Sequence, residues 1–359
     1  MNTYPLRVRR RRQDTEDAVS LWLEVPGDLR STFAYRTGQF ITIEQDIAGE
    51  TITRQYSLAS VPGLEELLHI AVKKVPGGRM SSWLVDTVAE GDVLESASPR
   101  GRLYTAAEQP RHVILLAAGS GIVPLRAIAK HALSQQLGHR VTIGYGNRFA
   151  DAIMLRAEID ALTEDGATVE HVLSRPAEDW TGGRGRVDTA YLAERWPGWD
   201  ASSLPVSAYL CGPDEFMDNA EKFLLDRGVD LNDIRKESFD LVLNDDEDEP
   251  DLVVPEQHAQ DDLGECDLVT AVLRGEEIEV TPDAGEPLLG ALLRVSEDVP
   301  FSCQEGTCAS CIVKLTEGQV GVRPGVLKTL RPADLEEGLI LACLSRARTR
   351  SVRIDFDNV

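Results

Sequence analysis

The sequence predicts a multidomain chain: an antiparallel β-barrel, an α/β domain built on a parallel sheet, and a small α+β domain behind an acidic linker. Three observations predict it. Short β-rich runs separated by Gly and Pro fill the first hundred residues. Continuous apolar runs alternating with helical stretches follow Pro110, and a stretch without cations precedes renewed strand signals near the end.

The barrel is read from VSLWLEV, FITIEQ, TRQYSLAS and LLHIAVKKV, with VPGD, RTGQ and SVPG as the turns between them. Arg9 to Arg12 resemble a basic tag, but they run into VSLWLEV and read as the solvated face of a first strand. After Pro110, HVILLAA, RVTIGYGN, ATVEHVLS and SAYLCG are buried-strand candidates, and LRAIAKHALSQQ and AIMLRAEIDALTEDG are helical. Apolar strands alternating with helices imply a parallel sheet covered on both faces. Asp240 to Asp262 contains no Lys or Arg, is rich in Asp and Glu, and reads as an extended linker that does not pack. DLVTAVLRG and EEIEVTP then open the last domain. The expected boundaries are 1–106, 107–239, a linker over 240–264, and 265–359.

Composition narrows the function classes. The 359 residues carry a formal net charge of −23. This argues against nucleic acid and anionic membrane surfaces as partners, and for a partner with a basic patch. No run of about 18 apolar residues appears, so no membrane span is expected. The paired N-terminal arginines have no apolar stretch behind them, so no export signal is read. Six cysteines, four of them in the last sixth, suit a reducing cytoplasm and ligand thiols rather than disulfides.

Those four cysteines carry the sharpest signal. Cys303, Cys308 and Cys311 follow the spacing C-x4-C-x2-C, and Cys343 comes later, which is the plant-type 2Fe–2S arrangement. A thiolate-bound cluster is negative and needs nearby backbone N–H groups. Gly306, Thr307, Ala309 and Ser310 let the main chain wrap closely. Structural zinc is the alternative, but zinc modules present ligands as two short pairs. The segment from Cys266 to Asp355 resembles a plant-type ferredoxin, which implies a β-grasp fold. Leu344 departs from that resemblance, since a polar residue often follows the last ligand. Cys266 lies outside the motif and reads as an ordinary thiol.

A one-electron cluster raises the question of its electron source, and four further segments bear on it. Arg54, Gln55, Tyr56 and Ser57 lie in RQYSLAS on a predicted strand. In GGRMSSWL, Gly77 and Gly78 free the backbone, and Ser81 or Ser82 is placed to cap a short helix facing an anion. AAGSGIVPLRAI follows a buried strand and opens a helix, as a pyrophosphate loop should, with Pro124 where a third glycine is usual. In YLCGPDEFMD, Cys211 ends a strand before Gly212 and Pro213 turn the chain.

Together and in this order the segments resemble the ferredoxin–NADP reductase superfamily over Leu6 to about Phe239. The whole domain order resembles reductase components of bacterial ring-hydroxylating and 3-ketosteroid hydroxylase systems. The resemblance implies a flavin held through Arg54, Gln55, Tyr56, Ser57, Gly77, Gly78, Ser81 and Ser82. It implies a nucleotide phosphate loop at Gly119, Ser120, Gly121 and Pro124, with Cys211, Gly212 and Pro213 beside the nicotinamide. Glu237 and Phe239 match the family's carboxylate-plus-aromatic ending near the flavin, with Phe in place of the commoner Tyr. Ser57, Cys211 and Glu237 are the expected catalytic group, and Arg148 and Arg175 the candidate contacts for the adenosine ribose or its phosphate. FAD is favoured over FMN, and NADH over NADPH. The expected activity is electron transfer from NADH through flavin and cluster to a terminal oxygenase, Rieske-type by resemblance. The rival readings are a reductase for a heme-thiolate mono-oxygenase or separate ferredoxin, and a non-enzymatic redox sensor.

Overall fold

The computed structural model describes residues 2–238 except 201–202, the strand at 252–254, and residues 266–296, 298–301, 306, 309–322 and 329–359. The chain forms two compact units, Thr3–Asp240 and Leu241–Val359.

The first unit begins with six strands: β1 (Tyr4–Thr15), β2 (Ala18–Glu24), β3 (Phe40–Ile47), β4 (Glu50–Ser57), β5 (Leu68–Lys73) and β6 (Val93–Ser96). Their order is β4-β3-β6-β1-β2-β5, and every pairing is antiparallel. A bridge between Leu58 and Ile70 joins the outer strands, so the sheet closes on itself. Its interior holds Leu6, Leu21, Ile41, Ile43 and Leu94, against which Met80 and Leu84 of helix α1 (Arg79–Asp86) pack. The arginines at positions 9–12 lie within β1 as expected. Arg10 lies over Trp22, Arg11 donates to the Val85 carbonyl and Arg12 pairs with Asp14.

The same unit continues into a parallel sheet of β7 (His112–Ala118), β8 (Arg140–Asn147), β9 (Thr168–Leu173), β10 (Gly183–Arg184), β11 (Val206–Cys211) and β12 (Ile234–Glu237). The order is β10-β9-β8-β7-β11-β12. Helices α2 (Ile122–Ser134), α3 (Arg156–Ala161), α4 (Thr189–Asp200) and α5 (Asp214–Leu225) connect its strands. The chain steps outward from β7 to β10, then returns to lay β11 on the other side of β7. Open α/β sheets bind ligands where the strand order reverses in this way, at the carboxyl ends of the two central strands.

The second unit contains β13 (Leu252–Val254), β14 (Leu268–Leu273), β15 (Glu276–Val280), α6 (Leu288–Leu293), β16 (Ile312–Glu317), β17 (Val320–Val322), α7 (Pro332–Glu336), β18 (Leu339–Leu341), β19 (Ser345–Ala347) and β20 (Ser351–Asp355). Its main sheet has the order β15-β14-β20-β16-β18, with β14 and β20 parallel. The buried Leu288, Leu289 and Leu292 of α6 belong to the same core as Val269, Val313 and Ile354. A smaller sheet joins β13, β17 and β19. The acidic segment predicted as a non-packing linker thus contributes a strand. Leu-Val-Val is an apolar, β-branched run, and it pairs antiparallel with Val320–Val322. Among the described residues no helix is long and apolar enough to cross a membrane.

Candidate functional site at the switch point

The loop after β7 and the end of β11 meet at very close range. Gly119–Gly121 forms one 3-10 turn before α2. A Cβ on Gly121 would lie 2.0 Å from the Cys211 carbonyl oxygen and 2.4 Å from its carbon. Gly121 has an ordinary φ of −59°, so this glycine is required for space rather than conformation. Gly212 is similarly confined, its Cβ position lying 2.9 Å from the Ala118 Cβ. Pro124 occupies the third position of α2, within the first turn, where its missing N–H leaves no helical bond unmade. Pro213 is the N-cap of α5. Ser120 is half-buried in the turn.

Parallel pairing of β11 with β12 sets Cys211 beside Glu237. From the barrel, the Ser57 hydroxyl at the end of β4 donates to Glu237 Oε2 at 2.8 Å. The three residues expected to be catalytic therefore come together although Ser57 and Glu237 lie 180 positions apart. Burial pushes the Glu237 carboxyl up to about 7, and the Ser57 bond opposes this only in part. Burial, with the Glu237 charge as a smaller contribution, holds the Cys211 thiol well above its ordinary value. Cys211 is thus a neutral thiol near neutral pH rather than a nucleophile.

Arg54, Gln55 and Tyr56 precede Ser57 on β4. Arg54 is exposed, Tyr56 packs against the barrel core, and burial raises its phenol. Gln55 Nε2 is buried without a hydrogen-bond partner among the described residues. An orphaned donor on this strand suits a bound group rich in acceptors, as a flavin is. At α1 the expectation is corrected in one respect. Gly78, not a serine, takes the N-cap position, and no side chain caps it. Ser81 lies inside the helix, where its oxygen accepts from the Val75 N–H at 3.1 Å and holds the preceding turn. The first-turn N–H groups of α1 remain open to an anion, with Ser82 beside them and Gly77 at a φ of +74° shaping the approach.

Arg148 and Arg175 sit on the loops after β8 and β9, joined where the Arg175 N–H donates to the Arg148 carbonyl at 2.9 Å. Both are exposed, and neither guanidinium has a carboxylate partner among the described residues. Phe239 lies outside the described residues.

Of the four cluster cysteines, Cys303 and Cys308 lie outside the described residues. Cys311 and Cys343 are buried thiols outside any disulfide. Ile312 of β16 pairs with Leu341 of β18, and the Ala342 N–H donates to the Cys311 carbonyl at 3.0 Å. This register brings the two cysteines to the same end of one ladder. Gly306 and Ala309 hold φ of +78° and +54°, the left-handed turns a wrapping loop needs. A Cβ on Gly306 would lie 2.2 Å from a Leu344 methyl, so the unusual Leu344 packs over the loop. Two buried thiols at one end of a ladder suit a thiolate-bound cluster.

Local sequence reading missed some supporting residues. Tyr145, fully buried, donates to the Gly119 carbonyl at 3.1 Å and props the Gly119–Gly121 turn. Ser238 donates to Asp214 at the start of α5. A second missed group centres on Arg126, whose sequence signal is a cation at a buried position of α2.

Comparisons with known proteins agree with this layout. Family models match an oxidoreductase FAD-binding domain at residues 5–104, an oxidoreductase NAD-binding domain at 115–222 and a 2Fe-2S iron-sulfur cluster binding domain at 271–348. The chain is 32% identical over 353 residues to the ferredoxin reductase component of 3-ketosteroid-9-alpha-monooxygenase from Rhodococcus rhodochrous, covering 96% of this chain and 94% of the relative. It is 28% identical over 330 residues to the glycine betaine monooxygenase reductase subunit from Pseudomonas aeruginosa, covering 87% of this chain and 85% of the relative. The solved structure of the Amycolatopsis cytochrome P450 reductase GcoB superposes with a TM-score of 0.58 at 25% identity, covering 66% of this chain and 70% of that one. With its FAD-binding barrel, NAD-binding sheet and C-terminal 2Fe–2S domain in one chain, this protein belongs to the ferredoxin–NADP reductase superfamily, among the reductase components of oxygenase systems.

Proposed function

We propose that this chain takes electrons in pairs from NAD(P)H and delivers them singly to a terminal oxygenase, Rieske-type by its domain order. The observation that carries the reading is the meeting of Ser57, Cys211 and Glu237 at the switch point between β7 and β11. When bound, FAD accepts the two electrons of the nicotinamide and the 2Fe–2S cluster relays them one at a time. The chain's own residues bind, orient and manage protons. Gly119–Gly121 and the start of α2 supply N–H groups for the nucleotide phosphates, and Gly212 keeps the crevice open beside Cys211. Arg54 and the start of α1 hold the flavin phosphates. Glu237 keeps or releases a proton next to the Ser57 hydroxyl. The four cysteines at 303, 308, 311 and 343 hold the cluster. The net charge of −23 suits an acceptor with a basic patch and argues against nucleic acid and anionic membrane partners, and the few, clustered cysteines suit a reducing cytoplasm.

The domain ranges 1–106, 107–239 and 265–359 give the direct test. A chain ending at residue 239 is expected to bind FAD and pass electrons from NADH to ferricyanide within about threefold of the full chain. It is expected to lose nearly all reduction of the oxygenase and of cytochrome c, because the one-electron outlet is gone. Undiminished oxygenase reduction by the short chain would show that the cluster is not an obligatory relay.

Nucleotide choice rests on Arg148 and Arg175. NADH is expected to give the higher kcat/KM, and Arg175→Ala to leave it within about threefold. If NADPH is preferred by tenfold, about 1.4 kcal/mol, and Arg175→Ala abolishes that preference, the arginines read a 2′-phosphate.

Glu237 sets a pH dependence. An ordinary glutamate titrates near 4.5, and this one near 7. Between those values the folded chain holds a proton that the unfolded chain has released. The unfolding free energy therefore falls as pH rises through that window, and the penalty stays complete above it. Glu237→Gln is expected to lose less stability than the wild type between pH of about 5 and 8, measured as urea midpoints. A variant with the wild-type slope would show that Glu237 does not titrate there.

A further inference from the structure

Helix α2 begins directly after the Gly119–Gly121 turn and carries one arginine among its buried positions. The Arg126 side chain is 8% exposed. Its Nη1 donates to the Ala59 carbonyl at 2.6 Å and to Glu65 Oε2 at 2.9 Å, and its Nη2 donates to Glu65 Oε1 at 3.0 Å. Glu158 Oε2 lies 3.3 Å from Nε, and Glu158 in turn pairs with Arg12 of β1 at 2.9 Å. Glu65 Oε2 also accepts from the Val61 N–H at 2.8 Å, and Lys130 lies 3.1 Å from Glu65 Oε1. The guanidinium thus grips the barrel on the segment 59–65, which starts two residues after Ser57.

The chemistry makes this grip directional. A guanidinium and a carboxylate meeting through two parallel N–H···O bonds fix orientation as well as distance, which an ammonium does not. The third contact goes to a main-chain carbonyl, so the barrel backbone itself is held. On the other side, α2 is a rigid rod whose N-terminus is the phosphate loop. One side chain therefore spans from the strand end bearing Ser57 to the element bearing Gly121. Burial alone would raise the Glu65 carboxyl, but the hydrogen bonds and charge of Arg126 hold it down at about 2. The Glu65 carboxylate stays ionised while Glu237 titrates.

We propose that Arg126 is a positioning residue for electron transfer between nucleotide and flavin, with Glu65 and the Ala59 carbonyl fixing the width of the crevice between the Ser57 strand end and the Gly119–Gly121 loop. The inference rests on the NAD(P)H-to-flavin reading above and adds to it a residue that touches neither reactant.

The test uses the full-length, flavin-loaded protein and its variants Glu65→Gln, Arg126→Lys and Lys130→Gln. Rapid mixing with NADH gives the limiting rate of flavin bleaching and the apparent Kd, and amide hydrogen exchange reports on residues 59–65. Glu65→Gln is expected to cut the limiting rate about tenfold, with Kd within about twofold and exchange at the Val61 amide accelerated. Arg126→Lys keeps the charge without the fork and is expected to fall between Glu65→Gln and wild type. Lys130→Gln, at the solvent edge, is expected to match wild type. If Glu65→Gln accelerates exchange or lowers Tm but leaves the limiting rate unchanged, Arg126 is only a strut and the proposal is wrong. Should Glu65→Gln fail to fold, Arg126→Lys decides by the same rate and exchange criteria. Wild-type protein whose flavin is not bleached by NADH or NADPH would instead overturn the parent reading.

Discussion

Replacing Cys343 by serine is expected to remove the iron–sulfur absorbance and nearly all electron delivery to a protein acceptor, while leaving the flavin bound. Cys343 follows β18 and is brought to the same ladder end as Cys311 by the β16–β18 register and the Ala342-to-Cys311 hydrogen bond. A serine hydroxyl keeps the shape of the thiol but stays protonated near neutral pH and is a poor ligand for iron held by thiolates. Iron should fall from about two per chain to a small fraction of that. NADH–ferricyanide activity should stay within about twofold, because the flavin and nucleotide residues lie in the Thr3–Asp240 unit. Iron analysis, visible spectra and reduction of the oxygenase, read side by side, check this. A serine variant that keeps its iron and its partner reduction would remove Cys343 from the ligand set.

The second large effect is expected at Gly121→Ala. The added methyl would meet backbone atoms of Cys211 at 2.0 and 2.4 Å, and backbone cannot swing aside as a side chain can. Either the start of α2 or the end of β11 must move, and the proposed nucleotide site is built from both. The stability cost is expected at about 3 kcal/mol, the upper range for overpacking. Flavin reduction by NADH should fall at least about a hundredfold, since misplacement of about 1 Å is enough for such a loss. Gly228→Ala is the matched control. Gly228, just beyond α5, has a φ of +82° but open space around its Cβ position, so alanine there is strained without a clash. It should cost about 1 kcal/mol and leave nucleotide use intact. A Gly121→Ala variant reduced by NADH within about tenfold of wild type would show that the two loops do not form the nucleotide crevice.

Much of this protein is legible from short stretches because the chemistry is local. Cysteine spacing announces a cluster, and a glycine turn between an apolar strand and a helix announces a phosphate loop, since a few consecutive residues must supply each. The acidic 240–262 segment misled at Leu252–Val254, where a short apolar run found a partner strand far along the chain. Ser81 misled in another way. Capping logic assigns such a serine to the helix start, but the turn before α1 claims its oxygen, and Gly78 takes the cap.

What the sequence by itself determined is the order of domains, FAD-binding, then NAD-binding, then 2Fe–2S, and the short loops from which the proposed sites are built. What only the tertiary structure decided is which distant side chains meet. Ser57 reaches Glu237 because a strand end of the closed barrel abuts a parallel sheet whose register sets Glu237 beside Cys211. Arg126 reaches Ala59 and Glu65 because α2 packs at the same junction. Neither pairing has a spacing that a sequence pattern could reveal. Both follow from how two layers stack, and the burial that raises Glu237 toward neutrality exists only once they have done so.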